Sequence, residues 1–174
     1  MSEYEATGDS LRQTSDIGSI EKALRYYGKA LSTAREKSLI TKMPSLFLKM
    51  GDCHKDLALA KSYIFDRMVQ ARFASRNIGF ALRTSITKRG STQSDEWVLD
   101  AVNQAQQVVQ LYLDTLVPEI GDNQKGLVTS AAFADELANI QLPKHPYLTV
   151  RVAAQCQVSF KAYDLAAEAL KKKN

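Results

Sequence analysis

The sequence predicts an all-α protein: an elongated helical bundle of five to six helices, with a long central helix and an extended N-terminal arm. Apolar residues recur at steps of three and four along most of the chain, the spacing that lines one face of a helix. No segment shows the period-two alternation of a half-buried strand. With only eight glycines and four prolines in 174 residues, few positions interrupt the helical patterns.

Residues 1–16 are polar and predict the arm. Five acidic residues and a single arginine occur in the first 21 positions. A polar, acidic segment with few large apolar side chains has little to bury. The sequence therefore predicts a flexible acidic arm over 1–16, followed by a single helical domain over 17–174.

The first predicted helix runs from Ile17 to near Ser38, with Ser19 as its N-cap. Its apolar stripe consists of Ile20, Leu24, Tyr27, Leu31 and Ala34. After Pro44, which suits a first helical turn, the same stepping continues to residue 84. One unbroken helix would be roughly 58 Å long, and the alternative is a bend or break around 59–62. We expect the elongated helix.

Three more helices are predicted in the second half of the chain. Ser94 would cap a helix that ends before Pro118, with apolar positions from Val98 to Leu116 and glutamine-rich outer faces. A short helix follows over 130–140. The last helix runs over 149–170 and ends in three lysines, which suit the negative end of the helix dipole.

The sequence contains no recognisable catalytic or metal-binding constellation. Its two histidines are His54 and His145, and the segment Asp52–Asp56 places metal-ligating side chains one and two residues apart on one helix, where they do not converge. Glycine-rich phosphate loops, nucleophile elbows and paired cysteines are missing from the sequence. We therefore expect no catalytic residue, no metal, no cofactor and no small-molecule substrate.

One local pattern is similar to a helical repeat. The spacing of Ala23, Tyr27 and Ala30 resembles the second helix of a tetratricopeptide repeat, and residues 50–54 resemble the start of the next unit. The resemblance implies a short adaptor that binds peptides in a groove. It covers about 35 residues. The equivalent positions of a following second helix do not continue it: Tyr63, Arg67 and Gln70.

The strongest functional signal is a basic stretch at residues 67–89. No acidic residue occurs between Asp66 and Asp95. On a helix, Arg72, Arg76 and Arg83 would lie within about 40° of one another. Arginine favours bidentate contacts to phosphate or carboxylate. The predicted nucleic-acid contacts are Arg72, Arg76, Arg83, Lys88 and Arg89.

Phe73 and Phe80 fall on the face opposite the apolar stripe of the same helix, so both faces carry apolar side chains. This predicts a subunit interface at Phe73 and Phe80, with the arginines paired to carboxylates such as those of the arm. A helix lying on an anionic membrane fits less well. The simplest alternative is a central bundle helix whose arginines are only solvated.

Together these observations predict a non-enzymatic, self-associating structural protein, a homo-oligomer similar in profile to a coat or nucleocapsid subunit. The alternatives are a nucleic-acid-binding protein using residues 67–89 and the short tetratricopeptide-like adaptor. No apolar run reaches the about 20 residues of a membrane span, and the acidic N-terminus is unlike a signal peptide. We therefore expect a cytoplasmic or virion location, neither secreted nor transmembrane.

Overall fold

The computed structural model describes residues 2–86 and seven further positions: 100, 101, 103, 104, 107, 108 and 111. Four α-helices follow in order: α1 (Glu3–Arg12), α2 (Ile17–Glu36), α3 (Met43–Ala60) and α4 (Ile64–Ile86), with a 3₁₀ turn at Ile40–Lys42 before α3. The described part contains no strand, which confirms the all-α prediction. The helices predicted after residue 116 lie outside the described residues, so the total of five to six stays a prediction.

The chain divides into two compact units, Met1–Gln104 and Ala105–Asn174. In the first unit, the extensive helix contacts join neighbours in sequence: α1 with α2, α2 with α3, and α3 with α4. The single domain predicted over 17–174 stays a prediction. No helix among the described residues is both long and apolar enough to cross a bilayer.

The extended arm predicted for residues 1–16 is wrong, because Glu3–Arg12 form helix α1. Ser2 is its N-cap, and the Ser2 Oγ accepts a hydrogen bond of 3.1 Å from the Glu5 N–H. Acidic residues in the first turn and Arg12 in the last turn suit the helix dipole. The helix is polar overall, and it is held by contacts with residues far away in sequence.

Helix α2 confirms the first predicted helix, with one correction at its start. Its N-cap is Asp16 and not Ser19: Asp16 Oδ1 accepts a hydrogen bond of 2.9 Å from the Ser19 N–H. Hydrogen bonds from Ser19 and Thr14 lower the pKa of the exposed Asp16 to about 2. The predicted stripe is largely buried, and Ala23 and Tyr27 are 0% exposed.

The single long helix predicted for 44–84 is wrong, because the chain breaks after Ala60 and resumes at Ile64. Lys61 has extended backbone angles, φ −84° and ψ 132°. The gain is burial: folding α4 back against α3 makes the most extensive helix contact in the described part. A straight helix would leave both apolar faces in water, and removing apolar area from water is the main stabilising term in folding. The break, at residues 61–63, overlaps the alternative position, 59–62.

Candidate interaction surface on helix α4

The two faces of helix α4 differ in the size and the exposure of their side chains. Its buried face is made of small side chains and one isoleucine, all 0–1% exposed: Ala71, Ala74, Ser75, Ile78 and Ala81. Small residues allow a close approach to α3, whose buried side chains include Leu46, Phe47 and Leu57. The opposite face of α4 is exposed and carries residues of the predicted nucleic-acid site and of the predicted subunit interface.

The nucleic-acid prediction is only partly within the described residues. Arg72 and Arg76 are exposed on α4. The guanidinium carbon of Arg76 lies 5.9 Å from the centroid of the Phe80 ring, which is cation–π distance. Arg83 occupies a helical position in α4, and Lys88 and Arg89 lie outside the described residues. The structure therefore places two of the five basic side chains on one exposed face.

The predicted interface residues Phe73 and Phe80 are 38% and 37% exposed. Each ring also packs against an aromatic ring of α3. The centroid of Phe80 is 5.5 Å from that of Phe47, and the centroid of Phe73 is 5.2 Å from that of His54. The two phenylalanines therefore form the rim of the α3–α4 contact and present their remaining surface to solvent.

Val69 extends this apolar row, and the sequence reasoning missed it. It is 41% exposed. Val69, Phe73, Arg76 and Phe80 follow one another at steps of four, three and four, which is the spacing of a helix–helix seam. We call these four residues the α4 seam. The same stepping rule that located the buried stripe could have found the seam, if it had been applied to the outer face.

His54 of α3 packs against Phe73 of the α4 seam. Its Nδ1 lies 2.8 Å from Gln70 Oε1, in hydrogen-bond range. Burial lowers the pKa of His54, and the Gln70 contact only partly opposes that shift. A neutral ring therefore packs under Phe73. His54 is half-buried, and its neighbour Cys53 is 0% exposed.

Two carboxylates of the predicted arm, Glu5 and Asp9, pair with α3. Lys49 Nζ donates to Glu5 Oε1 at 2.8 Å and to Asp9 Oδ2 at 2.8 Å. The Tyr27 hydroxyl donates to Asp9 Oδ1 at 2.7 Å. Burial alone would raise the pKa of Asp9, but these hydrogen bonds outweigh it and lower the pKa. Burial would likewise lower the pKa of Lys49, and its carboxylate partners raise it.

A second group of ion pairs joins the end of α1 to α3. Arg12 lies 3.0 Å from Asp56 Oδ2 and 3.7 Å from Asp52 Oδ2. Lys55 lies 3.2 Å from Asp52 Oδ1. We call these residues, with Glu5, Asp9 and Lys49, the α1–α3 network. It accounts for four carboxylates and three cations inside the first unit.

The described residues contain no group of three potential metal-ligating side chains. Cys53 is a free, buried thiol, and burial raises its pKa to about 12. At that value the thiolate form, which is the reactive nucleophile and metal ligand, is scarce near neutral pH. The residues of the tetratricopeptide-like pattern, Ala23, Tyr27 and Ala30, are core residues of α2. The adaptor hypothesis stays a prediction.

No protein-family model, no curated protein and no solved structure matches this chain. These comparisons therefore give no related protein from which an activity, substrate or partner could be inferred. What can be said of function comes from the side chains that the fold exposes. On α4 these are an apolar row and two arginines.

Proposed function

We propose that this protein is a non-enzymatic structural subunit that associates with copies of itself, as a coat or nucleocapsid subunit does, through the α4 seam. The observation that carries the proposal is the exposed apolar row of Val69, Phe73 and Phe80, at 41%, 38% and 37% exposure. Large apolar side chains exposed in a continuous row on one helix are typical of interaction surfaces, whereas scattered ones need no explanation.

The composition of the seam fits the same proposal. Phenylalanine and arginine are enriched in protein–protein interfaces, while lysine is depleted. The seam contains two phenylalanines and Arg76, and its 4-3-4 spacing suits a helix of another copy. Phe73 and Phe80 are also held by rings of α3. Side chains already fixed in place lose less entropy when a partner binds.

Light scattering tests the proposal. We expect a particle heavier than the 19.3 kDa chain, before and after nuclease treatment. The double variant Val69→Ser/Phe73→Ser should shift the mass toward the monomer. A matched control, Ile17→Ser/Leu39→Ser, makes the same kind of change at two exposed apolar residues outside α4 and should keep the particle. A wild-type monomer at high concentration, or equal loss in both variants, would overturn the proposal.

Nucleic-acid binding by the basic stretch is the second candidate. It is favoured by the exposure of Arg72 and Arg76 in a segment without acidic residues from 67 to 94. Each phosphate contact releases counterions, so affinity would fall steeply with salt. Replacing Arg72, Arg76 and Arg83 by glutamine should flatten that dependence. An unchanged salt dependence would eliminate this site.

A further inference from the structure

A second basic row lies on α2. Residues 22–35 contain four basic residues and no acidic residue. Lys22, Arg25 and Lys29 are exposed. At about 100° per residue they fall within about 60° of one another, and they span about 10 Å of the helix axis. None of the three has an ion-pair partner among the described residues, in contrast to Arg12, Lys49 and Lys55.

Two tyrosines lie beside this row. Tyr4 of α1 and Tyr26 of α2 have ring centroids 6.3 Å apart, with planes inclined at 39°. Lys29 Nζ is 5.7 Å from the Tyr4 centroid and 5.1 Å from the Tyr26 centroid. Tyr4 is 41% exposed. The folding of α1 onto α2 thus adds an aromatic surface to the cations, which no local pattern in the sequence indicates.

The charge balance of this part of the chain favours an anionic partner. Residues 1–86 contain 14 basic and nine acidic residues. The α1–α3 network pairs four of those carboxylates with three cations. The charge left outside the network is therefore more basic than the composition shows. A polyanion that contacts residues 22–35 of α2 meets only lysine and arginine among the charged side chains of that segment, which Glu21 and Glu36 flank at its two ends.

We propose that Lys22, Arg25, Lys29, Tyr4 and Tyr26 form a binding surface for single-stranded nucleic acid. The three cations contact successive phosphates, and a base stacks on the tyrosine pair. Single strands expose the faces of their bases, and aromatic side chains beside a basic groove bind them without sequence preference. An acidic peptide would use the cations alone. This surface is separate from the α4 seam and does not depend on self-association.

The test is binding of a fluorescent oligothymidylate to the full chain across a salt series. The triple variant Lys22→Gln/Arg25→Gln/Lys29→Gln should reduce the slope of log affinity against log salt by about 2, since each single-strand phosphate contact contributes about 0.7. At low salt the affinity should fall on the order of 100-fold. The matched control, Lys37→Gln/Lys42→Gln/Lys61→Gln, removes the same charge elsewhere and should keep most of the slope.

The tyrosine contribution is measured separately. Tyr4→Ala should weaken binding about tenfold without changing the slope, because stacking releases no counterions. Tyr4→Phe keeps the ring and should retain the affinity. Circular dichroism of each variant checks that the helices remain.

Three results would overturn this proposal: equal losses in the two triple variants, no loss with Tyr4→Ala, or competition by polyglutamate as strong as by the oligonucleotide. Loss confined to Arg72→Gln/Arg76→Gln would also overturn it, and would leave α4 as the nucleic-acid site. The mass measured by light scattering is independent of all four results. It tests the self-association proposal, whereas the binding measurements test the surface on α2.

Discussion

Two regions of the first unit, the α3–α4 contact and the contacts of α1, differ in chemistry. The α3–α4 contact buries small apolar residues such as Ala74 and Ile78, both 0% exposed. Helix α1 packs along α2, with Gly8 against the Tyr27 ring, and its side chains form ion pairs to α3. Apolar burial stabilises without directional partners, whereas each ion pair between α1 and α3 needs a particular residue 40 or 44 positions away. The stability of the α3–α4 contact should therefore depend little on pH and salt, whereas the stability of the α1 ion pairs should depend on both.

The largest effect should follow from breaking the apolar contact. Ile78→Ala removes a fully buried side chain from the α3–α4 interface and should lower the free energy of unfolding by about 2–5 kcal/mol. Urea denaturation measures the loss. Ile17→Ala makes the same change at a 45% exposed isoleucine of α2; it is the matched control and should change stability by about 0.5 kcal/mol or less. Equal costs at the two positions would contradict the assigned orientation of α4.

Gly8 tests the close approach of α1 to α2. A Cβ at Gly8 would lie 2.6 Å from Tyr27 Cε1, closer than side chains pack. Gly8→Ala should therefore destabilise by about 1–3 kcal/mol. Gly28, inside α2, has open space at the equivalent position, and Gly28→Ala should stabilise by about 0.5–1 kcal/mol through helix propensity. Thermal unfolding of both variants gives the two signs, and the same sign in both would contradict this packing.

The smallest effect should come from the ion pairs. Lys49→Met leaves Glu5 and Asp9 without their cation and should cost about 1–2 kcal/mol at pH 7. The lowered pKa of Asp9 means that the pairing stabilises above its ordinary value of 3.8 and is lost as the pH falls below it. The gap between wild type and variant should therefore narrow as the pH falls below 3.8. Lys37→Met, at an exposed lysine, is the control, and a gap that does not narrow with falling pH would contradict the pairing.

Local periodicity was enough to predict the helical class, the extent of α2 apart from its N-cap, and the place of Pro44. It failed where long-range contacts decide. Helix α1 has few apolar residues, and its partners lie on α2 and α3. A local signal was nevertheless present: Ser2 followed by Glu5 has the spacing of a capping box. The break after Ala60 contains no glycine or proline, so no turn residue marks it in the sequence. Helix α3 ends there because α4 packs back against it.

Gln104 determines which piece of this chain can be expected to fold by itself. The sequence assigned it to a polar face, yet it is 5% exposed, and its Nε2 donates to the Leu48 carbonyl at 2.7 Å. Its Oε1 contacts the place where a side chain on Gly51 would begin. A fragment ending at Ile86 would uncover this part of α3 and lose a buried hydrogen bond. A fragment that extends beyond residue 104 keeps this part of α3 covered and keeps the hydrogen bond. It is the natural starting point for spectroscopy on the first unit.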